Sequence, residues 1–344
     1  MFGLAKLAPA VRRIAPALAT RAAAGGWMKR DEAVMGTAIG IELWSESRAE
    51  GESAMAAVIA EMHRIDRAMS PHKPDSELSR INREAGAAPV PLSTEMARLL
   101  ARADEFSRLT GGAFDISYAA VGQLYDYRER VRPTDAALAQ ACAAVGYRHL
   151  HLDTRARTLR FGLPGMRIDL GGFAKGHAVD NAAAILRERG VQHAMVSAGG
   201  DSRVIGDHRG RPWTVGIRDP RRPGEMAALL PLVDVSISTS GDYERCFDAD
   251  GVRFHHLIDP ATGRSPHSVH SVTVLAEDGL TTEALSKAVF VLGTEKGLRL
   301  VESQRGVDAV VVDAAGALHY SAGLLNPGAR QRPQPEAMKH RRQQ

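Results

Sequence analysis

The sequence predicts an α+β or mixed α/β protein whose sheet is mainly antiparallel. Three observations support this class: helical periodicities and strand-like runs are both present, they interleave irregularly, and no internal repeat is visible. The 344 residues allow one large domain or two ordinary ones, and a hydrophobic content of 44% can form a substantial core. Aromatic residues make up only 5%, so we expect that core to consist mainly of Ala, Val, Leu and Ile.

Helices are expected where apolar residues recur at spacings of three and four. This pattern predicts helices over residues 53–69, 76–82, 93–110, 134–145, 176–189 and 282–292. Gly111-Gly112 would end the third of these, and Asp135 lies in the first turn of the fourth. Strand-like runs are predicted over residues 35–46, 149–152, 158–161, 194–197, 204–205, 213–217, 235–238, 272–275, 309–312 and 318–320.

The two ends of the chain differ in charge from its body. Residues 1–30 carry a net charge of +6 and residues 326–344 one of +4, so the total of +4 leaves −6 for the body. An acidic body argues against a nucleic-acid-binding face. We therefore expect a basic leader over 1–30 that is disordered or signal-like, one domain over 31–325, and a disordered basic tail over 326–344.

The leader leaves the cellular compartment open. The arginine pair at 12–13 precedes the apolar run 14–19, as in a twin-arginine export signal, but Arg21 interrupts the run. A secretory signal has about 7–15 uninterrupted apolar residues, so we favour the cytoplasm and keep the periplasm as the alternative. No stretch reaches the roughly 18 apolar residues of a membrane span. The spacing of Cys142 and Cys246 does not indicate a metal site, and nothing supports a disulfide between them.

Residues 169–176 combine one carboxylate, three glycines and one lysine. Glycines let a backbone approach a phosphate closely, and a lysine supplies a point charge. A glycine pair alone is more often just a turn. Four further polar segments, none specific by itself, are residues 111–117, 197–201, 238–245 and 254–263.

Glu283, Ser286 and Lys287 would share one face of the last predicted helix. Two interpretations remain open. The face is either solvated, with a glutamate–lysine pair one turn apart, or a polar group at a helix N-terminus that faces an anion or its metal. The function of the histidine pair at 255–256 is similarly open, because two histidines could simply end a surface strand.

Taken in order, these segments resemble the FAD:protein FMN transferase family, the ApbE-type flavin transferases. The nine matching segments are residues 35–37, 75–82, 113–116, 168–176, 198–201, 213–217, 240–245, 256–263 and 283–286. The resemblance implies a T-fold-like α+β architecture with a mainly antiparallel sheet and packed helices. It also implies an activity, in which the FMN half of FAD is joined through its phosphate to a Ser or Thr hydroxyl of a target flavoprotein. AMP leaves, and Mg²⁺ assists.

The resemblance also assigns site residues by matched position. Those expected to line the FAD site are Met35, His72, Ala113, Phe114, Asp115, Asp169, Lys175 and Leu257 or Ile258. Those expected to hold Mg²⁺ are the main-chain carbonyl of Gly172 with Glu283, Ser286 and Lys287. His256 falls on a family histidine beside the reacting phosphate. Because a histidine can accept a hydroxyl proton near neutral pH, we hypothesise that His256 is the base.

Two positions depart from the family pattern. His72 stands where a tyrosine is common, and the usual Asp-x-x-[Ser/Asp]-Thr of the metal helix reads Glu283-Ala-Leu-Ser-Lys287. An ammonium cannot ligate Mg²⁺. Lys287 therefore either neutralises the pyrophosphate itself or swings away and leaves Glu283 and Ser286 to hold the metal.

Two other functions stay open beside flavin transfer. One is FAD pyrophosphatase activity that gives FMN and AMP, and the other is FAD binding or delivery without catalysis. For the transferase, the resemblance suggests an acceptor in a respiratory or reductase flavoprotein.

Overall fold

A computed structural model of the chain describes residues 25–222 and 224–325. Its strands, in chain order, are β1 Gly26–Val34, β2 Thr37–Ser45, β3 Val90–Pro91, β4 Leu150–Asp153, β5 Thr158–Phe161, β6 Ala194–Ala198, β7 Asp201–Ile205, β8 Trp213–Arg218, β9 Met226–Leu232, β10 Ser236–Gly241, β11 Cys246–Ala249, β12 Val252–His255, β13 Val269–Ala276, β14 Asp308–Asp313 and β15 Leu318–Tyr320. Its helices are α1 Arg48–Met69, α2 Glu77–Glu84, α3 Thr94–Leu109, α4 Ala119–Gly122, α5 Asp135–Cys142, α6 Ala174–Glu188, α7 Gly279–Leu292, α8 Thr294–Glu302 and α9 Ala322–Leu325.

The centre of the fold is an eight-stranded sheet in the order β1-β2-β6-β7-β10-β13-β14-β15. Every neighbouring pair in this sheet is antiparallel. Three smaller sheets lie outside it: the hairpins β8–β9 and β11–β12, and the three strands β3-β5-β4. The predicted α+β class with a mainly antiparallel sheet is therefore confirmed.

A layer of helices covers the large sheet. Helix α1 packs on β1 and β2, α6 on β6 and β7, α7 on β7, β10 and β13, and α8 on β14, and each helix also contacts the next. The core lies between the two layers. Strand β2 shows how the sequence builds it, because Ile39, Ile41 and Leu43 alternate along the strand and are all buried.

The boundary predicted at residue 31 is wrong, since β1 begins at Gly26 and residues 26–30 belong to the domain. Strand β1 is the edge of the sheet, and its residues 29–31 are exposed. An edge strand with a charged centre lacks the apolar alternation by which strands are found in a sequence. The rest of the predicted leader, the arginine pair at 12–13 and the tail 326–344 lie outside the described residues.

The sequence predicts neither a membrane span nor a disulfide, and the described part of the chain offers one observation on each. None of its helices combines the length and the apolar character needed to span a bilayer. Cys142 and Cys246 are both free thiols.

The start of helix α6 touches the start of helix α7, and two glycines make this contact possible. A Cβ atom on Gly176 would lie 2.2 Å from the carbonyl oxygen of Gly279, and one on Gly279 would lie 2.4 Å from the carbonyl oxygen of Gly176. No side chain fits at such distances, so both positions require glycine. This contact brings the polar first turns of the two helices together.

Candidate functional site

The segment that precedes α6 is held by side chains rather than by a sheet. Residues 166–170 form neither a strand nor a helix. Asn82 of α2 accepts a hydrogen bond from the N–H of Ile168 at 2.8 Å and donates one to its carbonyl at 2.9 Å. The N–H of Asp169 donates to the carbonyl of Ile116 at 3.0 Å. The motif at 75–82 thus fixes the turn that carries Gly171 and Gly172.

Four charged side chains meet at the contact between α6 and α7. Lys175 pairs with Glu283 and lies 3.2 Å from Asp201, measured from Nζ to Oδ2. The Nζ atom of Lys287 lies 3.4 Å from Oε1 of Glu283. The other oxygen of Glu283 accepts the backbone N–H of Gly176 at 2.7 Å. We call Lys175, Asp201, Glu283 and Lys287 the charged cluster.

Burial gives the charged cluster its electrostatic character. The side chain of Glu283 is 0% exposed and that of Asp201 is 3% exposed. Burial by itself would lower the pKa of Lys175, but Asp201 and Glu283 raise it above its ordinary value. Burial also lowers the pKa of Lys287, and here Glu283 and Asp201 offset the effect only in part. The ammonium of Lys175 also donates to the carbonyl of Gly171 at 2.8 Å, and its expected place in the FAD site stays a prediction.

Asp169 lies beside the charged cluster and faces cations. Its carboxylate accepts the N–H of Gly171, and its pKa is raised by burial. The charges of His72, Lys175 and Arg245 act on it in the opposite direction, which places these three groups near its side chain. His72 itself is exposed. Asp169 and His72 thus lie where a ligand could reach both.

His256 lies at the same place and is held neutral. It directly follows β12, and its backbone N–H donates to the carbonyl of Arg245 at 3.1 Å. Burial lowers the pKa of His256 to about 3, and the positive charges of Lys287 and Arg245 contribute to this shift. Its Nδ1 atom is buried and has no hydrogen-bond partner among the described residues. A neutral imidazole is able to accept a proton. His255, in contrast, donates its Nε2–H to the carbonyl of Pro266 at 2.9 Å inside the fold.

Helix α7 does not present its polar residues on one open face. Ser286 is fully buried, and its hydroxyl hydrogen-bonds with the hydroxyls of Ser238 and Ser240 of β10 at 3.1 and 2.9 Å. It also donates to the carbonyl of Glu283 at 3.0 Å. The solvated-face interpretation of α7 is therefore wrong, because Glu283 and Ser286 are both buried. The hydroxyl of the predicted metal ligand Ser286 is directed to β10 of the sheet.

Three residues of the segment at 113–116, which were expected to contact FAD, lie in the core or at its edge. Phe114 is 5% exposed, and its ring packs against those of Phe106 and Phe173. Asp115 accepts the N–H and hydroxyl of Ser117 at 2.8 and 2.7 Å, and its other oxygen accepts the N–H of Tyr147 at 2.7 Å. Burial raises its pKa, and these bonds act against the rise. Ala113 packs at the edge of the same core. We attribute this mismatch to sequence matching, which identifies a shared segment but not the direction of its side chains.

Leu257 and Ile258 are also largely buried. Leu257 belongs to the main core, whereas Ile258 joins a small core with Val121 and Leu138. Each side chain is 6% exposed, so neither offers more than an edge to a ligand. The matched segment after His256 therefore serves mainly to anchor that histidine.

Met35 occupies the turn between β1 and β2. It has a positive φ of 55°, and Gly36 follows with φ 67°. An L-residue with a side chain rarely adopts this conformation, so the turn is held in place by its surroundings. Arg245 supplies one such contact, since its Nη2 donates to the carbonyl of Gly36 at 3.4 Å. Met35 thus lies near the side chain that also acts on Asp169 and His256.

Two members of the site were not assigned from the sequence. Asp201 ends the matched segment 198–201 and pairs with Lys175, and Arg245 ends the matched segment 240–245 and acts on Asp169 and His256. The signal was present, because each is the charged residue that closes a glycine-containing motif. Only the fold reveals that Asp201 reaches Lys175 and that Arg245 lies near Asp169 and His256.

The charged cluster in its present arrangement does not fit a divalent cation. A Mg²⁺ site needs carboxylate and carbonyl oxygens that are free to coordinate. Here Glu283 is already paired with two ammonium groups and a backbone N–H, and Asp201 with one ammonium group. Within residues 25–222 and 224–325, no three His, Cys, Asp or Glu side chains are grouped as a metal site requires. Two carboxylates and two lysines also leave no net negative charge to attract the ion.

The chain is similar in sequence and in fold to known proteins. The FAD:protein FMN transferase of Treponema pallidum is 34% identical over 316 residues, which are 86% of this chain and 87% of the relative. That of Haemophilus influenzae is 36% identical over 265 residues, 74% of this chain and 77% of the relative. The crystal structure of the ApbE protein from Thermotoga maritima superposes with a TM-score of 0.81 at 32% identity, covering 87% of this chain and 98% of the other.

These likenesses confirm the architecture expected from the resemblance. The sequence pattern of the ApbE family matches residues 35–311, which include the charged cluster, Asp169 and His256. The match therefore covers the whole site as well as most of the sheet. The chain belongs to the ApbE family.

Proposed function

We propose that this chain transfers FMN from FAD to a Ser or Thr hydroxyl of a target protein and releases AMP. One observation carries the proposal: in a chain of the ApbE family, the half-buried His256 lies near the charges of Lys287, Arg245 and Lys175, and burial lowers its pKa to about 3. Phosphoryl transfer needs an in-line hydroxyl, neutralised phosphate oxygens and a stabilised leaving group. Cationic side chains suit the phosphates, and the histidine suits the hydroxyl.

The reaction forms one bond and breaks one. The acceptor oxygen attacks the phosphorus on the FMN side of the pyrophosphate, and the bond from that phosphorus to the bridging oxygen breaks. AMP leaves with the bridging oxygen and its electron pair, and the hydroxyl proton passes to His256. Arg245 is placed to hold the phosphates, because it is exposed and its charge acts on both Asp169 and His256.

The low pKa of His256 is compatible with its role as a base. In the free protein, burial and cations keep the ring neutral, so that it is ready to accept a proton at any pH above about 3. A bound pyrophosphate brings negative charge to the same place and raises the pKa of the histidine. Substrate binding therefore strengthens the base when it is needed.

The magnesium dependence implied by the resemblance remains a prediction. If Mg²⁺ binds, Glu283, Asp201 and the carbonyl of Gly172 are the groups that could hold it, after Lys175 and Lys287 have moved away. The hard cation would then neutralise phosphate oxygens. We derive no step through it, because these carboxylates are already paired with lysines.

The test is a product assay with the full chain, FAD and an acceptor domain from a reductase-type flavoprotein. We expect an acceptor adduct of FMN mass and an equal amount of AMP, and no adduct when the acceptor hydroxyl is removed by substitution with alanine. Free FMN and AMP without an adduct would identify a pyrophosphatase instead, and bound but intact FAD would identify a binding protein.

His256→Ala tests the assignment of the base. A positioned general base contributes about 10²–10⁴-fold, so we expect transfer to slow by that factor while FAD binding changes little. His63→Ala is the control, since His63 pairs with Glu32 away from the site. Transfer at the wild-type rate in His256→Ala would contradict the assignment.

The acceptor and the compartment are further parts of the proposal. We propose a respiratory or reductase flavoprotein as the target, on the resemblance alone. We also propose a cytoplasmic location, with the periplasm as alternative, because Arg21 interrupts the short apolar run that follows the arginine pair at 12–13. Fractionation followed by mass spectrometry of the N-terminus would test the second point, and cleavage of the leader would contradict it.

A further inference from the structure

Lys287 occupies the region that the resemblance reserves for a metal. Its ammonium lies 3.4 Å from Glu283 Oε1, and its alkyl stem crosses the backbone of Gly172. A Cβ atom on Gly172 would be 3.2 Å from Cε and 3.3 Å from Cδ of Lys287. Lys287 thus runs past Gly172 to Glu283, and both of these residues were expected to ligate Mg²⁺.

The surroundings hold the ammonium in this position. Glu283 is fully buried, and Lys175 and the N–H of Gly176 hold its carboxylate. The carboxylate therefore stays in place when the side chain of Lys287 moves. Asp201 is also buried, and its Oδ1 atom has no hydrogen-bond partner among the described residues. The charge of Asp201 acts on Lys287. Two carboxylates therefore favour a cation at this place, and Lys287 supplies one from the chain itself.

The ammonium of Lys287 also lies near the residue proposed to act as the base in the transfer reaction. The charge of Lys287 is the strongest single charge that acts on His256, the residue proposed as the base. A group that is close to His256 is also close to the phosphate at which the hydroxyl reacts. The ammonium thus lies where negative charge develops as AMP departs.

We propose that the ammonium of Lys287 acts as a built-in cation that neutralises the pyrophosphate of FAD, so that FAD binding and transfer proceed without Mg²⁺. This inference rests on the proposed function in so far as FAD is the ligand. An ammonium carries a positive charge, as a metal ion does, and it donates hydrogen bonds to phosphate oxygens. An ammonium requires no ligands, and this agrees with Glu283, whose two oxygens are already paired with Lys175 and with the N–H of Gly176.

The experiment measures FAD binding to the full chain by fluorescence, after exhaustive chelation and again with added Mg²⁺. The wild-type dissociation constant is expected to be the same in both conditions. Lys287→Thr is expected to bind FAD about tenfold more weakly under chelation, which corresponds to one lost charge-assisted contact, and to regain affinity when Mg²⁺ is added. Lys296→Met is the matched control, because Lys296 is an exposed lysine of α8.

A second readout does not depend on the folding of a variant. Mn²⁺ is a paramagnetic substitute for Mg²⁺. Its electron paramagnetic resonance spectrum, which distinguishes free from bound ion, is recorded with wild-type protein and FAD. We expect no more bound Mn²⁺ than FAD alone retains. Binding of Mn²⁺ by the wild-type complex, or loss of wild-type FAD binding under chelation, would overturn the inference, as would unchanged binding in Lys287→Thr.

The two proposals fail in different ways. Tight FAD binding under chelation without any flavin adduct would refute transfer and leave the role of Lys287 intact. An adduct that forms only with Mg²⁺ would refute the role of Lys287 and leave transfer intact.

Discussion

Two acidic side chains, Asp180 and Glu283, lie on either side of the contact between α6 and α7, and they have opposite surroundings. Among the described residues, Asp180 hydrogen-bonds only with backbone groups, the N–H of Gly279 at 2.8 Å and that of Leu280 at 3.3 Å. Glu283 meets the ammonium groups of Lys175 and Lys287 as well as one backbone N–H. The first carboxylate caps a helix, and the second holds cations in a site. Partners, more than burial, therefore decide which carboxylate is structural and which belongs to the chemistry.

The sharpest test compares amide substitutions at the two positions. Glu283→Gln removes the negative charge that Lys175 and Lys287 share and leaves a buried cation without a full partner. Loss of one partner of a buried pair costs about 3–5 kcal/mol, so we expect the free energy of unfolding to fall by that amount. Asp180→Asn is expected to cost nothing at pH 7, because it relieves a charge that burial disfavours. Urea unfolding at pH 7 measures both, and equal losses would contradict the comparison.

A pH series gives the next largest effect. Burial raises the pKa of Asp180 from 3.8 to about 6, so the folded state binds the proton more tightly than the unfolded state. The contribution of this group to stability is therefore complete below about pH 4 and is lost as the pH rises through about 6. The shift corresponds to about 3 kcal/mol.

Asp180→Asn removes this titration. Between about pH 4 and pH 7, wild type should lose about 3 kcal/mol of unfolding free energy relative to the variant. Urea unfolding at several pH values measures the difference, and parallel curves for the two proteins would contradict the assignment to Asp180.

A pair of glycine substitutions separates the helix contact from the charged cluster. Gly176→Ala pushes a methyl group onto the backbone of Gly279, 2.2 Å away, and should cost about 2–3 kcal/mol of stability. Gly172→Ala meets only the flexible end of Lys287 at 3.2 Å, so we expect a cost below about 1 kcal/mol. It should nevertheless slow transfer, since the ammonium is displaced. Thermal unfolding and the product assay together test this difference, and the reverse order of stabilities would contradict it.

The smallest effect is expected at Ser286, one turn from Glu283. Ser286→Ala removes hydrogen bonds to Ser238 and Ser240 and should cost about 1 kcal/mol of stability. The transfer rate should stay within about twofold of wild type, because this hydroxyl faces β10. A loss of activity restored by excess Mg²⁺ would instead support the metal ligand inferred from the resemblance.

The sequence predicted six of the nine helices and ten of the fifteen strands that the structure describes, and particular elements show why. Helix α3 was placed within a residue at each end because apolar spacing, Ser93 and the glycines at 111–112 all agree. Strands β1 and β9 were missed: the first has exposed charged residues at its centre, and the second contains Pro231. Neither has the alternation of a half-buried strand, since one is an edge and the other lies in a two-stranded hairpin.

The candidate site was predicted by position but not by contact. Asp169, Lys175, His256, Glu283 and Lys287 lie near one another, and their roles toward FAD and Mg²⁺ stay predictions. Phe114, Asp115 and Ser286 lie in the same matched segments but turn inward. A motif constrains which residues are near the site, whereas the direction of each side chain follows from packing that the motif does not contain.

By itself, the sequence determined the family, the α+β class and the order of the segments that form the site, because these follow from local patterns and their succession along the chain. Only the tertiary structure decided how Glu283 is used. Its partner Lys287 is one turn away, but Lys175 and Asp201 are 108 and 82 residues distant in sequence. Pairing of buried charges depends on distances of a few ångströms, and these exist only after α6, α7 and β7 have packed together. The choice between a metal and a lysine at this site is therefore a property of the fold.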